Sequence, residues 1–244
     1  MPQTPSPQPI YEGKSKRLFA TGNPNELIME FKDDATAFNA EKRAVFAEKG
    51  RLNCAISNLI YAMLEKEGVP THFVRAINAT QVVVKKVDIL MIEVIVRNVS
   101  AGSFCKRTGI EEGRAFVEPV VEFSLKSDAL GDPLINDDYI RELNLASAAD
   151  LSFLRQSALT VNRLLQAFFL KAGLKLVDFK LEFGRPADAP DTIVLADEIS
   201  PDGCRLWDIA TGEKMDKDRF RRDLGNVMES YAEVLKRAQH VLEN

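Results

Sequence analysis

The chain is short of the residues that most often move protons or hold transition metals. Among 244 residues there are two histidines, His72 and His240, and three cysteines, Cys54, Cys105 and Cys204. There is no HExxH, no CxxC and no Cys/His pair at zinc-binding spacing, which excludes the common zinc sites. The odd, widely separated thiols are expected to be reduced, small core residues of a protein in a reducing compartment. His240 falls in a predicted terminal helix, so a hydrolase with a histidine base would have to use His72. An excess of positive charge is also missing: 32 Lys and Arg face 36 Asp and Glu, a net charge of −4. A protein that coats nucleic acid is usually basic, so no nucleic-acid partner is expected. No run of ~18 apolar residues occurs, so no membrane helix is expected. The proline-rich start, residues 1–9, lacks the basic and apolar segments of a secretory signal. It reads as a flexible tail on a cytoplasmic chain.

What is present suits a globular protein. The composition is 45% hydrophobic and 28% charged, and a chain of this size buries ~70% of its surface on folding. Strand patterns are expected at residues 11–14, 16–20, 26–31, 71–77, 80–87, 89–99 and 116–123. Apolar residues at helical spacing predict helices over 51–67, 150–172 and 219–238. A hairpin of 174–184 with 192–199 is expected around a proline-rich loop. The class is α+β, with an antiparallel N-terminal sheet.

Four segments carry possible chemistry. Tyr11-Glu12-Gly13-Lys14-Ser15-Lys16 contains Gly-Lys-Ser, but a P-loop needs glycine where Gln8 stands. A glycine-bearing hairpin over a nucleotide would still put Lys14 and Lys16 on one strand face; an exposed hairpin with solvated lysines has the same pattern. In Val177-Asp178-Phe179-Lys180-Leu181-Glu182-Phe183, the apolar residues are expected to face a core and Asp178, Lys180 and Glu182 the other side. In half of the possible registers Asp197 joins them, a carboxylate set that Mg²⁺ would stabilise. An ordinary half-exposed strand also fits. Val96 to Ser103 places Arg97 before small hydroxyl residues that could open a helix towards an anion. Ser200 to Asp208 brings Arg205 close after Asp197 and Glu198 through a Pro-Asp-Gly turn. Surface arginines beside a cap or a plain hairpin remain open for these last two.

Taken in order, residues 11–16, Val-Arg-Asn 96–98, Ala-Gly-Ser 101–103, 177–184, 197–208 and Met-Asp-Lys-Asp 215–218 closely resemble the phosphoribosylaminoimidazole-succinocarboxamide synthase family. The resemblance runs from Tyr11 to about Arg237. It implies an ATP- and Mg²⁺-dependent ligase that joins L-aspartate to a carboxyaminoimidazole ribonucleotide in purine synthesis. It also implies a two-lobed fold: residues 10–90 resemble the nucleotide lobe of kinases and ATP-grasp enzymes, and residues 91–244 bind substrate and metal. A homodimer is expected. By matching motifs, Lys14 and Lys16 would hold ATP phosphates, and Lys85, Lys86, Val87 and Asp88 the adenine. Glu182 and Asp197 would hold Mg²⁺, with Asp178 nearby. Arg97, Ser103 and Arg205 would bind the ribonucleotide, and Lys180 would contact the reacting carboxylate. Lys14, Lys180 and Asp178 are the implied catalytic set, and Lys126, Asp132 and Asp216 are further candidates. Asn39 stands where some relatives carry Asp, so no acidic role is carried over there. The competing readings are a kinase-like phosphotransferase, against which the absence of His-Arg-Asp counts, and a nucleotide-binding module without turnover.

Overall fold

The structure, a computed structural model, describes residues 8–38 and 41–243. The first seven residues of the expected tail, and Asn39, lie outside the described residues. Strands β1 (Tyr11–Glu12), β2 (Lys16–Ala20) and β3 (Glu26–Phe31) open the chain, followed by a separate hairpin of β4 (Asp34–Ala37) and β5 (Lys42–Val45). Helix α1 (Lys49–Lys66) leads to β6 (Phe73–Ala76) and β7 (Gln81–Lys85). The first sheet is antiparallel with order β1-β2-β3-β7-β6.

The rest of the chain builds a second antiparallel sheet. Its strands are β8 (Val87–Val99), β9 (Ala115–Leu125), β10 (Leu134–Ile135), β11 (Leu174–Pro186), β12 (Val194–Ala196) and β13 (Cys204–Asp208). Helices α2 (Gly102–Thr108), α3 (Asp137–Glu142), α4 (Ala148–Lys171), α5 (Asp218–Arg221) and α6 (Val227–Glu243) connect or cover them. The sheet order is β10-β9-β8-β11-β12, and β13 also pairs with β11. One face packs on α1, α4 and α6 through Ile60, Leu64, Phe169, Phe179, Phe183 and Val234, all within the main apolar core. Burying a large apolar side chain stabilises by about 1.5–3 kcal/mol, so this contact dominates the fold. The opposite face carries the charges.

The boundaries follow local chemistry. Helix α4 starts two residues before the periodicity suggests, because Ser147 and Asp150 form a reciprocal capping box. It ends before Gly173, at φ 70, the left-handed stop that glycine supplies. The single helix expected over 219–238 is two helices. Asp223, Gly225 and Asn226 have φ 54, 70 and 48, which interrupts the helix although the apolar spacing continues. Arg219 ties that break together by donating to the carbonyls of Gly225 (2.7 Å) and Leu224 (3.3 Å). The first strand stops at Glu12 rather than Lys14. A register shift between Leu176 and Asp178 changes the phase of β11, so Val177 does not join Phe179, Leu181 and Phe183. It packs instead with Val99 and Ala101 in a separate cluster.

Helix α1 lies so close to β3 that a Cβ on Gly50 would sit 2.5 Å from the Phe31 carbonyl oxygen. Gly50→Ala is therefore expected to lower the unfolding free energy by about 1–3 kcal/mol despite better helix propensity. Urea unfolding measures it; an unchanged or raised midpoint would show that the β3 backbone yields freely.

Candidate active site

A cavity of about 770 Å³ lies between the two sheets, within the range of small-ligand sites. The first sheet lines it with Leu18, Leu27, Met29 and Val84, an apolar surface, together with Lys14 and Lys16. The second sheet lines it with Glu93, Arg97, Asp178, Lys180 and Glu182. Register explains this. On β8 and β11, Arg97 is opposite Asp178 and Glu93 is opposite Glu182, and paired residues share a face.

The partner of β11 changes along one edge. Its first half pairs with β13 and its second with β12. The segment between them, residues 197–203, turns beside Lys180, whose N–H donates to the Gly203 carbonyl at 3.1 Å. Register places Ala196, not Asp197, opposite Glu182. Asp197 nevertheless reaches the charged face because its backbone turns left-handed there, with φ 64. The expected convergence occurs by a backbone twist and not by strand register.

Acidic and basic side chains form a continuous chain. Lys16 contacts Asp197 closely and Glu198 at 2.8 Å. Lys180 contacts Glu182 closely, Glu93 at 2.9 Å and Asp197 at 3.7 Å. Lys126 adds a bond to Glu182 at 2.8 Å. Burial works against the charges on Lys16 and Lys180, but the adjacent carboxylates raise both ammonium groups above their ordinary values. Burial likewise opposes ionisation of Asp197, yet Lys16 and Lys180 hold it well below the usual carboxylate range. Glu93 is raised, chiefly by burial. The three carboxylates around Lys180 are thus Glu93, Glu182 and Asp197. Asp178, expected among them, lies elsewhere.

Asp178 is gripped by two guanidinium groups. Arg97 Nη1 donates to it at 2.7 Å, and Arg205 Nη1 at 2.9 and 3.0 Å. Arg97 also donates to Glu122 at 2.8 Å and to Ser103 Oγ at 3.1 Å. Arg205 Nε reaches Asp218 at 3.1 Å. Gly102, at φ 54, lets Arg205 approach: a Cβ there would stand 2.5 Å from Nη2, which accounts for the glycine of Ala-Gly-Ser. A helix does open in this segment, as expected. Ala101 is the N-cap of α2, and Ser100 bonds the loop backbone at Glu111 and Arg114.

Among the other expected residues, Lys14 reaches across the cavity mouth to Asp128 at 2.7 Å. Lys85 and Val87 line the cavity, whereas Lys86, Asp88 and Ser103 do not. The Lys85 ammonium donates to the Thr71 carbonyl at 3.1 Å. Asp132 lines the cavity and accepts from the Ser127 N–H at 2.8 Å, shaping the loop that bears Asp128. Asp216 is fully buried, and burial, aided by the charge of Asp218, pushes it up to about 7. It accepts from the N–H groups of Leu206 and Asp218 at 2.8 and 2.7 Å.

Sequence reasoning missed Glu93 and Arg221 as lining residues, and it named His72, Glu198 and Lys217 without giving them a place in this site. Glu93 had a signal: it interrupts an apolar strand and is buried in the fold. His72 had none in its spacing. Burial pushes the His72 imidazole down to about 4.

Glu182 and Asp197 offer hard oxygen donors on one cavity wall, the chemistry that Mg²⁺ prefers. Among the described residues no group of three His, Cys, Asp or Glu side chains is arranged to hold a metal. Two carboxylates suit an ion that takes its remaining ligands from phosphate oxygens and water, so the chemistry of Glu182 and Asp197 fits Mg²⁺.

The family model described as SAICAR synthetase matches residues 9–238. A phosphoribosylaminoimidazole-succinocarboxamide synthase from Akkermansia muciniphila is 62% identical over 233 residues, covering 96% of this chain and 99% of that one. The crystal structure of the enzyme of that name from Ehrlichia chaffeensis superimposes with a TM-score of 0.93 at 45% identity, covering 95% of this chain and 98% of the other. A SAICAR synthetase in complex with ADP gives a TM-score of 0.90, also at 45% identity, covering 93% and 96%. With the match running from the β1 hairpin into α6, the chain belongs to the SAICAR synthetase family.

Proposed function

We propose that the chain is an ATP-dependent ligase that joins L-aspartate to 5-amino-1-(5-phosphoribosyl)imidazole-4-carboxylate, giving SAICAR, ADP and phosphate in purine synthesis. The observation that carries the reading is a single cavity in which apolar strands meet an alternating chain of buried acids and bases. The family membership and the ADP complex of a relative at 45% identity support nucleotide binding.

A carboxylate resists attack by an amine because its oxygen is a poor leaving group. Transfer of the γ-phosphoryl group to that oxygen makes an acyl phosphate and ADP. The aspartate nitrogen then attacks the carbonyl carbon, the C–O bond breaks, phosphate leaves, and the nitrogen loses a proton. The enzyme contributes positioning and charge neutralisation. Lys14 and Lys16 hold the phosphates under the Gly13 hairpin. Leu18, Leu27, Met29 and Val84 give the base an apolar seat, with Lys85 and Val87 along its edge. Arg97 and Arg205 take the ribonucleotide, with Asp178 fixing both guanidinium groups and the Ser103 hydroxyl accepting from Arg97. Lys180 lies against the reacting carboxylate, and Lys126 and Asp132 shape the same wall. Glu182 and Asp197 would hold Mg²⁺, which supplies neutralisation of phosphate charge. Residues 10–90 act as the nucleotide lobe and 91–244 as the substrate and metal lobe. The same reading includes a homodimer and a cytoplasmic location, which the free cysteines suit.

Three outcomes test this. With ATP, Mg²⁺ and the ribonucleotide, phosphate release should require aspartate; ADP release indifferent to aspartate would favour a phosphotransferase instead. Glu182→Gln and Asp197→Asn should each lower kcat at limiting Mg²⁺ by about 10–100-fold while melting temperature changes little; full activity in either would remove that residue from the metal. Arg205→Ala should weaken ribonucleotide binding by roughly 10–100-fold, as loss of a charge-assisted hydrogen bond implies, and spare ATP. Equal loss of both ligands in titration calorimetry would indicate a general collapse of the site.

A further inference from the structure

Asp197 adopts φ 64, a conformation that costs energy for any residue with a Cβ. Something must hold it there. The torsions of a residue are set by the peptide planes on either side, and here both planes are held by side chains. The carbonyl of Ala196 accepts a hydrogen bond from the Tyr61 hydroxyl at 2.8 Å. The carbonyl of Asp197 lies 3.1 Å from His72 Nε2. A carbonyl only accepts, so His72 carries its proton on Nε2. The two rings pack edge to face, with centroids 5.5 Å apart.

His72 is itself fixed. It is 3% exposed. Its N–H donates to the Leu195 carbonyl at 2.8 Å, and its carbonyl accepts from the Lys85 N–H at 2.7 Å. Leu195 also donates to the Pro70 carbonyl at 3.0 Å. The segment before β6 is thus stitched along β12, and its side chain reaches one residue further to clamp the twist.

We propose that His72, backed by Tyr61, is a positioning residue for the reaction: it locks the left-handed turn that aims the Asp197 carboxylate at Lys16, Lys180 and the metal. The inference rests on the reading of Asp197 as a metal ligand. It gives the fold's one buried histidine a part in the chemistry through its neighbour's backbone, with no proton transfer of its own.

The test is Mn²⁺ binding to the protein with ADP, read by electron paramagnetic resonance, beside circular dichroism and thermal melting. His72→Phe keeps the ring against Tyr61 and removes the donor. It should weaken Mn²⁺ binding about 10–100-fold, the usual effect of removing a partner that orients a metal ligand. His72→Gln, whose amide can donate from the same distance along the side chain, should recover most of the loss, which a packing role would not produce. Tyr61→Phe should weaken Mn²⁺ binding in the same direction and decides the matter alone if His72→Phe does not fold. Asp197→Asn is the reference. If it abolishes Mn²⁺ binding while His72→Phe, or in its place Tyr61→Phe, binds as the parent does, the positioning role is overturned. If Asp197→Asn itself binds Mn²⁺ normally, the metal assignment fails and this inference falls with it.

Discussion

The buried chain of charges from Lys16 through Asp197 and Lys180 to Glu182 organises the molecule around its cavity. Lys16 belongs to the first sheet, Lys180 and Glu182 to the second, and Asp197 to the turn that leaves β12, so this chain is also a seam between the sheets. Each charge would be costly to bury alone, and the geometry is acceptable because every member touches an opposite charge. The consequence for chemistry is order. Side chains held by two or more partners keep few rotamers, so little entropy remains to be lost when reactants arrive.

Strand β11 makes that arrangement possible. It is 13 residues long, pairs with β8 along one edge, and shares the other between β12 and β13. A continuous partner would have sealed that edge. The change of partner leaves a turn at 197–203 beside Lys180, and a carboxylate can enter from the sheet's own plane. The bulge at Val177 does similar work lower down, where Asp178 faces both Arg97 and Arg205.

Much of this was legible in the sequence where a rule of period or spacing applied. The alternation of β11 put Asp178, Lys180 and Glu182 on one face, and β3 and α4 were readable from their patterns. The resemblance of the motifs to a known family identified the chain. Failures came where the deciding term was tertiary. Nothing local distinguishes Asp197 reached by register from Asp197 reached by a left-handed turn, because the cause lies in Tyr61 and His72, which precede it by more than 120 residues. Asp178 looked like a metal-side carboxylate because two arginines on different strands are invisible to strand periodicity. The helix break at Asp223 was overlooked because apolar spacing persists through it, although Gly225-Asn226 carried the signal.

Net charge is the poorest guide to this site. The chain carries −4, yet the proposed ligands are anions. The cavity reconciles the two by pairing its cations in advance: Lys14 with Asp128, Lys16 with Glu198, Arg205 with Asp178 and Asp218. On the proposed reading, an entering phosphate exchanges partners with a resident carboxylate and does not simply fill a positive hole. The exposed pair is the cheapest to break, since Lys14 and Asp128 have side-chain exposures of 37% and 69% and such pairs are worth at most about 1 kcal/mol. The buried arginine pairs are far harder to separate, because an uncompensated carboxylate would be left without water. On the proposed reading, phosphate exchange falls to the exposed Lys14 pair beside the Gly13 hairpin, while Asp178 and Asp218 hold Arg97 and Arg205, whose remaining N–H edges form a fixed frame. Charge at the mouth is there to be exchanged, and charge at the floor is there to hold shape.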